Sequence, residues 1–181
     1  SRPRRHSTSN PRHVVAMMHL PTCCAQVVPA MSSQLKVKIV RIRDGVSLPR
    51  YQTPGSAAMD LEAAIQETIV LQPMERIVIP SGFAMELPDG YEAQIRPRSG
   101  LSLKQGIALA NGIATIDSDY RGEVGIILIN LSGEPQAIEP HMRVAQMVVA
   151  PYSHVSWLQT DELHDTIRGS KGYGSTGKID K

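Results

Sequence analysis

The fold is decided by the stretch from Arg76 to Arg96, which reads RIVIPSGFAMELPDGYEAQIR. Three short runs rich in β-branched and other apolar residues are separated by Pro-Ser-Gly at 80–82 and by Pro-Asp-Gly at 88–90. Such triplets favour turns, and runs of this length and composition are typical of strands. The last run, Tyr91–Arg96, is predicted to be a strand that returns from the second turn.

The same punctuation continues on both sides of this stretch. Further strands are predicted at Lys36–Ile42, Ala57–Ala63, Thr68–Leu71, Glu123–Leu131 and Arg143–Ala150. The single predicted helix is short and lies near Ser99–Gln105, with Pro97 before it and Gly106 at its end. Many short strands at regular spacing predict an all-β fold, with a sandwich, a jelly roll and a barrel as the alternatives.

Composition limits the partners of this chain. One Trp, one Phe and five Tyr leave a core of aliphatic residues and Met. No stretch approaches the roughly 18 apolar residues of a membrane-spanning helix. Outside residues 1–34 the acidic residues slightly outnumber the basic ones, whereas a nucleic-acid groove normally needs a basic face. We therefore expect neither a membrane nor a nucleic acid as a partner.

Residues 1–34 differ in composition from the rest. They hold four arginines, no acidic residue, four prolines and the only two cysteines, the adjacent Cys23 and Cys24. Three interpretations are open: an organelle transit peptide, translated sequence upstream of a start at Met31, or residues added artificially. Because the prolines disfavour an amphipathic helix, we interpret the segment as a non-structural leader and expect a cytoplasmic protein, with organelle targeting as the alternative.

Several polar segments interrupt the predicted strands. Arg96–Leu101 combines arginines, a serine and a predicted helix start, which favours either an anion site or a simple Ser N-cap. Asn111–Gly122 is interpreted as a hairpin with an acidic turn. Its carboxylates suit the binding of a water or a metal, and a turn held only by local hydrogen bonds is the alternative. Asp60 and Gln146 lie inside apolar strand patterns, where burial is costly unless they are paired or face a polar cleft.

The tail Arg168–Gly177, RGSKGYGSTG, has almost no apolar side chain to bury. Its glycines, hydroxyls and Arg168 suit a polyanion, and Tyr173 offers a face on which a base can stack. Alternatively, it is a flexible linker-like end. Together with the interrupted strands, it predicts a nucleoside triphosphate and metal site spread along the chain.

The chain resembles the trimeric dUTPases, the deoxyuridine triphosphate nucleotidohydrolases. The resemblance covers about Leu35 to Gly177 and rests on five motifs in the family's order. They are Pro54–Leu61, Pro97–Leu101, Asn111–Gly122, Arg143–Met147 and Arg168–Gly177. Each motif is weak alone, and five in order at similar spacing are specific.

The resemblance implies a jelly-roll-like β-barrel with one short helix and a flexible Gly-rich C-terminal tail, assembled as a homotrimer with shared active sites. It divides the chain into the leader at 1–34, a barrel domain at 35–160 and an arm at 161–181 that closes a neighbouring subunit's site. It also implies an enzyme that hydrolyses dUTP to dUMP and pyrophosphate with Mg²⁺. Such an enzyme keeps uracil out of DNA and supplies dUMP for dTTP synthesis.

The resemblance implies a role for each matching residue. Asp117 activates water for in-line attack on the α-phosphorus, and Tyr120 packs against the deoxyribose. The uracil contacts are Asn111, Thr115, Ile116 and Gly125. The phosphate contacts are Arg98, Ser99, Gly100, Arg168, Ser175 and Thr176, while Tyr173 stacks on uracil beside Gly174. Asp60 and Gln146 act through the waters of a Mg²⁺ held mainly by the triphosphate.

Two residues depart from the pattern of the dUTPase family. Lys171 replaces a common Gly, and Tyr173 replaces the usual Phe but keeps the stacking face.

Two other functions compete with dUTP hydrolysis. A dCTP deaminase is disfavoured, because its catalytic Glu is missing from Gly125–Leu128 and its Arg-Ser-Ser motif is Arg-Ser-Gly here. A catalytically idle nucleotide sensor is disfavoured because a binding module needs no water-activating carboxylate such as Asp117.

Overall fold

The structure, a computed structural model, describes residues 34–170 and Gly172. The residues from Lys36 onward belong to one unit of the chain, which is described below. The predicted leader before Gln34 and the predicted tail contacts at Tyr173, Gly174, Ser175 and Thr176 lie outside the described residues, as does Lys171.

The described residues form twelve strands and one helix. The elements are β1 (Lys38–Arg41), β2 (Arg50–Tyr51), β3 (Met59–Glu62), β4 (Ile69–Leu71), β5 (Arg76–Pro80), β6 (Phe83–Glu86), β7 (Tyr91–Arg96), α1 (Ser99–Gln105), β8 (Ile107–Leu109), β9 (Ala114–Ile116), β10 (Gly125–Asn130), β11 (Gln136–Ile138) and β12 (Arg143–Pro151). The all-β prediction is confirmed, and every strand predicted from the turn punctuation overlaps an observed one. Three short strands, β2, β8 and β11, were not predicted.

The strands pair antiparallel in four sheets. The largest has the order β2-β3-β12-β7-β9, and a three-stranded sheet has the order β5-β10-β8. Two-stranded sheets join β1 to β6 and β11 to β4. Strand β7 therefore lies between the longest strand, β12, and the short strand β9, and this arrangement positions the functional residues described below.

The core is aliphatic, as the composition predicts. Alternate residues of the strands point inward, and Ile95, Ile126 and Leu128 are almost completely buried together with Phe83, the only phenylalanine. One polar residue is fully buried among them: Asn130 donates to the main-chain oxygens of Leu71 and Glu134 at 2.9 and 2.8 Å. Because its amide is hydrogen-bonded, its burial is tolerated.

Helix α1 spans the predicted residues but begins differently from the predicted Ser cap. Arg98 occupies the N-cap position in an extended conformation, and it makes no side-chain cap hydrogen bond. Ser99 is the first helical residue, so the Ser N-cap interpretation is wrong. Gly106 ends the helix with φ 67°, a left-handed conformation that glycine adopts without steric cost, as predicted.

The segment 111–122 is not a simple hairpin, which corrects the sequence interpretation. Strand β9 pairs with β7, whereas the strands on either side of it, β8 and β10, pair with each other in another sheet. Similarly, β6 and β7 flank a turn closed by Tyr91 N–H and Pro88 O at 3.2 Å, yet they belong to different sheets. The turn residues predicted where the chain reverses its direction, but they did not predict which strands pair.

After β12 the chain leaves the sheets. Residues 153–170 are all exposed and have no regular secondary structure. Several are large and apolar, including Trp157, which is 92 % exposed, with Leu158, Leu163 and Ile167. Within the described part of the chain, no helix has the length and apolar character to cross a membrane.

Candidate active site

The first group of predicted site residues surrounds a groove of about 500 Å³, here called the arginine groove. Its walls include Asp60 from β3, Gln146 from β12 and the turn into α1. Gln146 lies directly opposite Asp60 on one side and Arg96 on the other, so three neighbouring strands place these side chains in one row. The predicted phosphate residues Arg98, Ser99 and Gly100 line the same groove.

Asp60 holds two arginines in the arginine groove. Its Oδ1 is 3.1 Å from Arg98 Nε, and its Oδ2 is 3.1 Å from Arg143 Nη1. The two arginines also contact each other directly, because Arg98 Nη1 donates to the main-chain oxygen of Arg143 at 2.9 Å. One carboxylate therefore orients two cations, and Arg143 is a groove residue that the motif reading did not single out.

The other polar groups of the arginine groove are fixed by backbone contacts. Gln146 Nε2 donates to Pro97 O at 2.8 Å, which leaves its Oε1 as an acceptor. The first hydrogen bond within α1 runs from Ser102 N–H to Arg98 O, so the three preceding N–H groups have no partner within the helix. Cations and N–H donors together suit an anion.

The second group of predicted residues lines a cavity of about 420 Å³ between β9 and β10, here called the loop cavity. Its predicted members are Asn111, Thr115, Ile116, Asp117, Tyr120 and Gly125. Val78, Ala114 and Ile127 supply an apolar wall, and Glu123 also lines the cavity. Six residues selected from the sequence thus share one cavity, which combines apolar surface with a few polar groups as ligand sites do.

The Tyr120 ring is held at the edge of the loop cavity by close contacts. Its hydroxyl donates to Glu123 O at 3.0 Å. A Cβ at Gly122 would lie 2.6 Å from Tyr120 Cζ, so a glycine is needed there for the ring to approach the chain. The space beside Gly125 is also restricted, because a Cβ there would lie 3.0 Å from Val78 Cγ1.

Glu123 anchors this loop, a contact that the sequence did not reveal. Its carboxylate receives two hydrogen bonds from Arg43, at 2.8 and 2.9 Å, and one from Gly82 N–H at 2.8 Å. The bonds from Arg43 hold the pKa of Glu123 below its ordinary value, against the opposing effect of partial burial, and the Gly82 N–H lowers it further. The two partners lie 80 residues apart in sequence, so no local pattern signals the pair.

The arginine groove and the catalytic candidate Asp117 lie at opposite ends of β7. Strand β9 runs antiparallel to β7 with Ile116 opposite Ala93, and Asp117 also lines a further cavity with Asp89 and Gly90, just before β7 begins. Arg98 follows the other end of β7 by two residues. A six-residue strand spans about 20 Å, so Asp117 and Arg98 of one chain are far apart.

The remaining predicted residues concern the tail and the metal. Arg168 is exposed and lies next to Gly169, whose N–H donates to Thr166 O at 3.0 Å. Within residues 34–170, no three His, Cys, Asp or Glu side chains come together in a group able to hold a metal ion. Asp60 and Gln146, the predicted metal residues, both line the arginine groove.

The sequence profile of the dUTPase family matches residues 44–177 of the chain. The deoxyuridine 5'-triphosphate nucleotidohydrolase of Fusobacterium nucleatum is 47 % identical over 145 residues, which cover 80 % of this chain and 99 % of that protein. The enzyme of the same name from Beijerinckia indica is 48 % identical over 151 residues, 82 % of this chain and 94 % of that protein. The chain belongs to the dUTPase family. It is accordingly a hydrolase, and the resemblance seen in the five motifs is confirmed.

The fold agrees with solved structures of a more distant relative. A mutant of the Staphylococcus bacteriophage 80alpha dUTPase with dUpNHpp superposes with a TM-score of 0.69 at 26 % identity, covering 79 % of this chain and 99 % of that one. Another mutant of the phage protein gives the same TM-score and identity over 77 % of this chain and 98 % of that one.

Proposed function

We propose that this protein hydrolyses dUTP to dUMP and pyrophosphate, and that it thereby keeps uracil out of DNA and supplies dUMP for dTTP synthesis. Family membership supports the reaction. The single observation that carries the assignment is the loop cavity, which gathers the six residues of the chain before the tail that are expected to bind the nucleoside and to activate water. The arginine groove complements it with the donors that a triphosphate needs.

Asp117 orients and activates the attacking water. Its carboxylate borders the loop cavity, is exposed, and accepts the water's proton as the oxygen approaches the α-phosphorus in line with the leaving group. The bond from the α-phosphorus to the bridging oxygen breaks, and pyrophosphate leaves with that oxygen. A positioned base of this kind typically contributes about 10²- to 10⁴-fold to the rate.

The loop cavity selects the nucleoside. Asn111 and the β9 residues Thr115 and Ile116 read the uracil edge, and Gly125 on the facing strand leaves space for the base. Close contact of this segment with uracil C5 leaves no space for a methyl group, which excludes thymine. The Tyr120 ring packs against the deoxyribose and leaves no room for a 2′-hydroxyl, so UTP is excluded.

The arginine groove holds the phosphate chain. Arg98 donates from a planar guanidinium whose direction Asp60 fixes, and the free N–H groups at Ser99 and Gly100 add further donors. Mg²⁺ bound to the triphosphate supplies positive charge that neutralises the phosphate oxygens. Gln146 Oε1 and the Asp60 carboxylate would accept hydrogen bonds from waters of that ion.

The separation of the two regions along β7 supports a shared site in a homotrimer. The α-phosphate that Asp117 serves and the phosphates that Arg98 binds belong to one short chain, whereas these residues of one subunit lie about 20 Å apart. One subunit therefore supplies the loop cavity and another the arginine groove. The exposed apolar residues after β12, Trp157 among them, are covered by a neighbouring subunit, as an arm that crosses between subunits requires.

The arm completes the site when nucleotide is bound. Arg168, Ser175 and Thr176 bind the γ-phosphate, and Tyr173 stacks on uracil with Gly174 allowing its close approach. Residues 1–34 form a leader that takes no part in the reaction. Ordering a glycine-rich segment costs conformational entropy, so the arm closes only when the triphosphate offsets that cost.

Pyrophosphate release tests the proposal. The chain without residues 1–34 is assayed with Mg²⁺ on dUTP, UTP, dTTP and dCTP, beside the full chain. We expect release from dUTP alone at equal rates in both proteins. Tight dUTP binding without pyrophosphate release would instead support a nucleotide sensor, and deamination of dCTP would support the deaminase alternative.

A further inference from the structure

Arg43 and Glu123 form a two-point ion pair next to the loop cavity. Arg43 Nε donates to Glu123 Oε1 at 2.8 Å, and Arg43 Nη2 donates to Glu123 Oε2 at 2.9 Å. Arg43 precedes the stretch 44–177 that matches the family, and it follows β1 in a different sheet from the loop cavity. The pair therefore ties the cavity to a part of the chain outside the family motifs.

Gly82 connects Glu123 to the chain segment that carries Arg43 through its backbone hydrogen bonds. Its N–H donates to Glu123 Oε1 at 2.8 Å, and its carbonyl oxygen accepts from Ile42 N–H, also at 2.8 Å. Gly82 has φ 77°, and a Cβ there would lie 2.9 Å from Val46 Cγ1, so its backbone is held where only glycine fits. Glu123 is thus bound to a rigid turn as well as to Arg43.

Glu123 in turn locates the Tyr120 ring. The Tyr120 hydroxyl donates to the main-chain oxygen of Glu123, and the ring packs on Gly122 between them. Tyr120 N–H donates to Asp117 O at 3.2 Å, which links the ring to the loop that carries the general base. A shift of Glu123 therefore moves the ring relative to the cavity.

We propose that Arg43 and Glu123 are positioning residues that set the depth of the Tyr120 ring in the loop cavity, and with it the discrimination between 2′-deoxyribonucleotides and ribonucleotides. The inference rests on the proposed function, in which the Tyr120 ring excludes the 2′-hydroxyl. Exclusion of one oxygen atom depends on the ring's position to a fraction of an ångström. Arg43 is not among the residues that line the cavity, and Glu123, which does line it, acts in this role through the Tyr120 ring.

A ratio of rates distinguishes positioning from general stability. Lost stability lowers the amount of active protein and affects dUTP and UTP equally, whereas a displaced ring changes the ratio of kcat/KM for the two nucleotides. A partly exposed ion pair of good geometry contributes enough to change this ratio about two- to fivefold. The expected change is a gain of UTP hydrolysis relative to dUTP hydrolysis.

The experiment compares Arg43→Gln, Glu123→Gln and the double variant with the unaltered protein. Gln at 123 keeps an acceptor for Gly82 N–H and removes the charge. Each single variant is expected to lower the dUTP-to-UTP ratio about two- to fivefold, and the double variant no further, because both changes break the same contact. Lys38→Gln is the matched control: it breaks the 2.9 Å pair between Lys38 on β1 and Glu86 on β6 and should leave the ratio unchanged.

Binding of dUpNHpp and its ribose counterpart UpNHpp, measured calorimetrically, gives a second readout that needs no catalysis. The same two- to fivefold loss of preference is expected in the three pair variants. Unchanged ratios in both measurements, or a change as large in Lys38→Gln, would overturn the inference while leaving dUTP hydrolysis intact. An unaltered protein that shows no preference for dUpNHpp would overturn both the inference and the proposed exclusion of ribose.

Discussion

The loop cavity and the arginine groove are built in different ways. All but one of the loop cavity's residues, Val78, come from the continuous segment 111–127, so a local motif suffices to recognise it. The arginine groove joins β3, the turn into α1 and β12, and its residues meet only because Gln146 is in register with Asp60 and Arg96. The first region depends on one loop, whereas the second depends on sheet pairing across the whole fold.

The two regions also differ in their internal electrostatics. In the arginine groove a carboxylate, Asp60, keeps two arginines pointing toward the space that an anion would occupy. In the loop cavity the ion pair of Arg43 and Glu123 supports the loop, and Glu123 also lines the cavity. We therefore expect the groove to bind the substrate through charge and the cavity to select it by shape.

The largest effect is expected from Asp117→Asn in the loop cavity. Removing the general base should lower kcat about 10²- to 10⁴-fold, while dUpNHpp binding is retained because the amide has the same shape. Steady-state pyrophosphate release and calorimetry check the two parts. Asp119→Asn is the control from the same loop, since Asp119 does not line the loop cavity, and it should keep most of the activity.

A smaller loss is expected from Arg98→Lys in the arginine groove. Lysine keeps the charge but cannot contact Asp60 and phosphate with a planar fork, so kcat/KM for dUTP should fall about 10- to 100-fold. Lys104→Gln, a change of another cation of the same groove, should have a weaker effect because no described contact fixes its direction. Equal losses would mean that the groove acts only through net charge.

Gly122→Ala tests whether shape governs the loop cavity. The new Cβ would lie 2.6 Å from Tyr120 Cζ, so the ring must move, and we expect about a tenfold loss of kcat/KM and a destabilisation of roughly 1–3 kcal/mol. Gly133→Ala is the control, because a Cβ there meets nothing within 4 Å. Unchanged kinetics in Gly122→Ala would show that the ring's position is unimportant.

The smallest effect concerns the pH dependence of stability. Because the pKa of Glu123 is lower in the folded protein than in the unfolded chain, the unfolded chain binds more protons between these two values. The stabilisation from Glu123 is therefore complete above the unfolded pKa and is lost as the pH falls through the folded one. The difference in Tm between the unaltered protein and Glu123→Gln should shrink over that acidic range, and a constant difference would contradict it.

Local patterns predicted the elements of this fold better than their partners. Helix α1 and strand β7 begin and end where turn residues place them. The pairing of β9 with β7 was missed, because pairing depends on which apolar faces meet in the core rather than on the residues of the turn. Strands of two or three residues, such as β2 and β11, carry too short a pattern to be recognised.

The candidate site shows the same limit. Asp117, Tyr120 and Asn111 lie in one motif and in one cavity, as expected from their spacing. Contacts between residues far apart in sequence could not be predicted from local patterns. The examples are two ion pairs whose members are separated by 80 or more residues, Arg43 with Glu123 and Asp60 with Arg143. Such pairs become visible only when the register of the strands is known.

In the proposed shared site, Asp117 comes from one subunit and Arg98 from another. The most direct test is to unfold the Asp117→Asn and Arg98→Ala variants together and refold the equal mixture. We predict that random assembly restores about a quarter of the sites, with pyrophosphate release from dUTP far above that of either variant refolded alone. Activity no greater than the mean of the two separate variants would contradict the shared site.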